Sequence, residues 1–132
     1  MITIYKYELV SVIDLISGAK VAELLNLPTG ARVLSVGVQK DTVCAWILLD
    51  NEAPATNKVY VQFIGTGWPV RFPEDVPNPM FVDTVSLYNG DFMYHVFMGE
   101  VNSNWSVPVS PEPKDPAVPD TEPELEMQES NN

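Results

Sequence analysis

The chain opens on alternation. Ile2 and Ile4 alternate with Thr3, Tyr5 and Tyr7 through residues 2–9, in β-branched and aromatic types throughout, which is the period-two pattern of a strand. The period then changes: Val12, Ile13, Leu15 and Ile16 have helical spacing with Asp14 on the exposed side, until Gly18 breaks the segment. Lys20 to Leu27 fits a strand or a second helical turn through Ala22 to Leu25, so residues 10–26 read as a short helical or irregular piece followed by a strand. Leu27-Pro28-Thr29-Gly30 has the Pro and Gly of a turn. Ala31 to Gln39 follows as a strand, with Leu34, Val36 and Val38 on one face and Val33, Ser35 and Gly37 on the other. Lys40-Asp41 closes a tight hairpin into Val43 to Leu49, where Val43, Ala45, Ile47 and Leu49 oppose Cys44, Trp46 and Leu48. A strand apolar on both faces is expected to be central and covered on both sides.

Asp50 to Asn57, with Pro54, reads as a loop, and Lys58 to Ile64 alternates again. Gly65-Thr66-Gly67-Trp68-Pro69 ends that strand, and Phe72 to Pro79, with three prolines and two acids, is a second loop. Phe81 to Tyr88 and Phe92 to Met98 are two further strands joined by Asn89-Gly90, a hairpin signal because both residues tolerate positive φ. Six or seven short strands with tight turns and little helix predict an all-β fold: a single small antiparallel β-sandwich or barrel-like domain over residues 1–106.

After Trp105 the pattern stops. Six of the twelve prolines lie between Pro108 and Pro123, and the large apolar residues there are isolated. Such a segment cannot bury enough apolar surface to offset its ordering entropy, so residues 107–132 are expected to form a disordered, acidic, proline-rich tail. Charge follows the same division. Of the net −11, residues 107–132 supply −6 (seven acids, one lysine) and residues 1–106 supply −5 (eleven acids, six bases). An acidic surface repels phosphate, so no direct nucleic-acid binding is expected, whereas a basic protein partner fits. The lone Cys44 allows no intrachain disulfide and suits a reducing compartment. Residues 2–8 lack the apolar core of a signal peptide, and no apolar run approaches the 18 or so residues of a membrane span, so a soluble intracellular protein is expected.

Several motifs in order resemble a family of small tailed-bacteriophage proteins. They are Ile4-Tyr5-Lys6-Tyr7 at the start, Leu27-Pro28-Thr29-Gly30-Ala31 running into Val33 to Gln39, Cys44-Ala45-Trp46, Gly65-Thr66-Gly67, and the closing His95-Val96-Phe97. The likeness spans most of residues 1–98. It departs from the pattern in a longer 10–26 segment, in Trp68 where a histidine is expected after Gly-Thr-Gly, and in the added acidic tail. The resemblance implies a phage-encoded protein in the cytoplasm of an infected bacterium, and it implies no particular activity.

Candidate chemistry is sparse. His95 is the only histidine, mid-strand on the face of Met93 and Phe97, and reads first as a structural side chain. A Cys44–His95 dyad would need a reactive thiol, but a cysteine in the most apolar strand has a raised pKa and is inert. One His and one Cys cannot build a structural zinc site, and no calcium-loop spacing occurs, so no metal or cofactor is expected. Gly65-Thr66-Gly67 lacks the helix and lysine of a phosphate loop, because Trp68-Pro69 follows. Loop aromatics are costly to leave wet. They either pack locally, which is the first reading, or form a contact surface, whose candidate residues are Gly67, Trp68, Arg71, Phe72 and Trp105; the tail reads either as a solubilising end or, through Asp120, Glu122, Glu124 and Glu126, as a candidate hook for a basic partner. The expectation is a non-catalytic phage accessory protein that binds a host or phage protein and inhibits host machinery or a defence system. The alternatives are a virion component (capsid decoration or tail accessory) and a small hydrolase built on His95.

Overall fold

The computed structural model describes residues 1–102. Trp105, the acidic candidates Asp120, Glu122, Glu124 and Glu126, and the tail expected over residues 107–132 lie outside the described residues. Seven strands and one short helix follow in order: β1 Ile2–Ser11, α1 Val12–Ser17, β2 Ala22–Leu27, β3 Arg32–Gln39, β4 Thr42–Asp50, β5 Asn57–Gly65, β6 Met80–Leu87 and β7 Phe92–Glu100. They form two antiparallel sheets, β1-β4-β3 and β2-β5-β7-β6, which pack face to face as a sandwich. This is the expected all-β class, in its sandwich rather than barrel form.

Alternation sets which side chains enter the core. Val43, Ala45, Ile47 and Leu49 of β4 face Val61 and Phe63 of β5 and Tyr94, Val96 and Met98 of β7 across the interior. Phe63, Ile47, Val61 and Val96 are all fully buried. Burying each such side chain stabilises the fold by roughly 1.5–3 kcal/mol.

The 10–26 segment resolves as a helical turn and then a strand. Ser11 caps α1, its hydroxyl accepting from the Asp14 N–H at 3.1 Å, and Gly18 at φ 81° ends it, its N–H donating to the Leu15 carbonyl. Six residues are too few for a helix to persist alone. Leu15, wholly buried, fastens it to the core.

Three details depart from the sequence reading. First, β4 is the central strand of its sheet, as expected, but only one side is covered among the described residues. Cys44 is buried, yet Trp46 and Leu48 stand half-buried on the outer face, so Trp46 is not a core side chain. Second, a bulge in β3 sets Val33 opposite Ile47 and Ser35 opposite Trp46. The extra residue breaks the alternation: Val33 packs on the core with Val36, and Leu34 is exposed. Third, Asn89-Gly90 lies within a four-residue loop, because Leu87 pairs with Phe92 and Tyr88, Asn89 and Gly90 all have positive φ.

Candidate functional site

The loop after β5 begins with a turn that the sequence encodes directly. The Trp68 N–H donates to the Gly65 carbonyl at 3.0 Å, and Gly67 sits at φ 90°, where a side chain would be strained. The turn folds the indole back over Gly65. A Cβ on Gly65 would stand 2.7 Å from Trp68 Cε2, so only glycine admits the ring. The indole meets the buried Tyr94 edge-on, with centroids 5.8 Å apart, and remains 43% exposed. Burial pushes the Tyr94 phenol above its usual pKa.

Residues 66–79 then return across the outer side of the four-stranded sheet. Phe72 packs edge-on against Phe97 of β7 at 5.3 Å, and Phe81 of β6 meets the same ring at 5.7 Å. Farther along, Val76 is buried against Gly99, where a Cβ would come within 2.6 Å of Val76 Cγ1 and 3.1 Å of Pro79 Cα. The Asn102 N–H donates to the Asp75 carbonyl at 2.8 Å and ties the loop to the strand leaving the sheet. Phe72, Phe97 and Phe81 thus form an aromatic platform. Phe81 is left 56% exposed and Met80 beside it 70%. Met80 also borders a groove of about 930 Å³ at the end of the sandwich, whose apolar walls include Leu27, Val33, Val59 and Met98.

The structure therefore divides the expected surface. Gly67 and Trp68 stand at the rim of the core on Tyr94, and Phe72 lies on the outer face with Phe97, with exposed Arg71 between them. Phe81, Phe97 and Met80 were not among the sequence candidates. The outward row of β7 (Met93, His95, Phe97) was legible, but that Phe81 falls opposite Phe97 depends on a register containing a bulge between Phe81 and Asp83.

His95 occupies that same outward row. Thr66 Oγ1 lies 2.9 Å from Nε2 and Thr84 Oγ1 3.1 Å from Nδ1, so a hydroxyl satisfies each ring nitrogen. The ring thereby pins the start of the loop to the sheet. Cys44 is in the other sheet, on its own outer side and buried, with its pKa raised by that burial. The two side chains of the conceivable dyad are not brought together. Among the described residues, no three His, Cys, Asp or Glu side chains gather as metal ligands, and no helix is long and apolar enough to cross a membrane.

Comparison with known proteins yields no matching curated protein and no matching solved structure. One family model does match, over residues 1–106, thus taking in all seven strands and Trp105. By that match the chain belongs to the family described as Domain of unknown function (DUF7352).

Proposed function

We propose that this protein works by binding another protein, as a non-catalytic accessory factor encoded by a phage, and that the aromatic platform is its contact surface. One observation carries the reading: Phe81 is held against Phe97, which Phe72 also meets, and is left more than half exposed, as is its β6 neighbour Met80, which lies opposite Met98. Aromatic side chains preorganised by contacts within their own domain lose little entropy on binding, which is why such residues dominate interface energetics. The groove that Met80 borders offers room for side chains of the partner. The phage setting rests on the ordered motif resemblance, and the charge of −11 favours a basic surface on the partner, a host or defence protein.

The test is affinity capture from infected bacteria with the full chain and with a Phe81→Ser, Met80→Ser double variant, matched for folding by circular dichroism. A partner recovered with the parent chain and lost with the variant supports the proposal. Equal recovery by both overturns the platform as the contact surface. Finding the protein as a fixed-stoichiometry component of purified virions replaces the accessory role with a structural one.

A further inference from the structure

The free edge of β1 differs from the other three sheet edges. β1 pairs only with β4, in unbroken register from Ile2–Asp50 to Glu8–Cys44. The Asn51 N–H donates to the Met1 carbonyl at 3.0 Å. Continued along that register, the alternation of antiparallel pairing makes Thr3, Tyr5 and Tyr7 the residues bonded to β4. It turns the N–H and C=O of Ile2, Ile4, Lys6 and Glu8 to the open side. Four donors and four acceptors therefore line up over seven residues with no partner among the described residues.

Each remaining edge is interrupted. β3 is bulged at Leu34, and the Asp83 carboxylate accepts from its Val36 N–H at 3.1 Å. β6 carries its own bulge beside Asp83. β2 is six residues long and places Glu23 in the row of Leu25 and Leu27, paired with Lys20. Short strands, bulges and inward charges are the usual means of blocking edge pairing.

We infer that β1 pairs antiparallel with β1 of a second copy about a two-fold axis through Tyr5, joining two three-stranded sheets into one of six strands. Parity allows only registers that set even residues against even residues. Centring on Lys6 would oppose two like charges, and centring on Ile4 would pair only residues 2–6. Centring on Tyr5 uses the whole free stretch, setting Ile2 opposite Glu8 and Ile4 opposite Lys6. It also lays Tyr5, 46% exposed, against its own symmetry mate, a favourable cross-strand aromatic pair. Because the other edges are blocked, association stops at two. A seven-residue strand contact is well below a standard interface, and the net charge opposes it, so dissociation is expected on the order of tens of micromolar.

Disulfide trapping on the full chain reads the register. Cys44 is buried but stands opposite Glu8 in the β1–β4 pair, so every cysteine variant carries Cys44→Ala as well. Opposed positions in an antiparallel pair lie within disulfide reach. Under a glutathione redox buffer, Tyr5→Cys should form a covalent dimer at least about tenfold faster than Ile4→Cys or Lys6→Cys, because pairing raises the effective concentration only at the axis. A mixture of Ile2→Cys and Glu8→Cys, which leaves Tyr5 intact, should cross-link to the mixed dimer over either self-dimer. Sedimentation velocity of the unaltered protein should shift toward dimer with concentration. Monomer throughout up to about ten times the expected dissociation constant, equal trapping at every position, or fastest trapping at Ile4→Cys or Lys6→Cys would overturn the inference.

Discussion

The outer side of the four-stranded sheet and the outer side of the three-stranded sheet both carry apolar side chains, yet they are finished differently. The first has Phe97 under Phe72, and Gly99 under Val76, because residues 66–79 return across it before entering β6. The second has Ile4, Trp46 and Leu48, and among the described residues what crosses it is one polar link, Lys6 Nζ donating to Gln39 Oε1 at 2.6 Å. An apolar outward row therefore does not reveal its own cover. That depends on whether a connection elsewhere in the chain is long enough to come back over it. β3 and β4 are joined by two residues, whereas β5 and β6 are joined by fourteen (66–79).

Substitutions can break this contrast, and the largest effect is expected where the loop meets the sheet. Phe97→Ala removes the ring shared by Phe72 and Phe81 and should cost about 2–3 kcal/mol in urea unfolding, somewhat below the value for a fully buried phenylalanine. Gly99→Ala should cost about 1–3 kcal/mol, because the new methyl collides with Val76 and the backbone of Pro79. The same variant should be cut faster by protease within residues 66–79. Asp83→Ala strips the acceptor from the Val36 N–H at the edge between the sheets and should cost about 1 kcal/mol.

pH supplies a weaker perturbation that acts on both sheets. Burial raises the pKa of Tyr60 and Tyr94 in the four-stranded sheet, and burial is also the first cause of the rise at Cys44 and Tyr7 in the three-stranded one. For a folded pKa above the unfolded one, stability is intact below the ordinary thiol and phenol values and is lost as pH rises through the folded values. Denaturation midpoints should therefore be level near neutrality and fall in alkali, with thiolate formation setting in first. The smallest effect is expected on the bare face: Ile4→Ala, at a side chain 52% exposed, should change monomer stability by no more than about 0.5 kcal/mol.

Much of the framework was legible because alternation and turn chemistry are local. β1 and β5 follow from period two, β4 from its unbroken apolar run and β7 from the Asn-Gly connection before it, and Gly30 and Gly67, both at positive φ, sit in the turns that their residue types imply. The bulges at Leu34 and near Asp83 were not legible, since each is fixed by the partner strand. That is why the facing rows of β3 were inverted at Val33 and Leu34. The candidate site was half legible. Loop aromatics identified Trp68 and Phe72, but the rings that receive them, Tyr94 and Phe97, are assigned only by tertiary register. A two-residue slip in β6 would have moved Phe81 off the platform.

The three-stranded sheet is also open along the edge of β1, and amide hydrogen exchange in dilute solution addresses that edge residue by residue. Protection should alternate: Thr3, Tyr5 and Tyr7 exchange slowly through their bonds to β4, while Ile4, Lys6 and Glu8 exchange fast. In concentrated solution the fast set should slow toward its neighbours. Uniform protection along β1 in dilute solution would contradict the account, because it would mean the edge is already covered within the single chain.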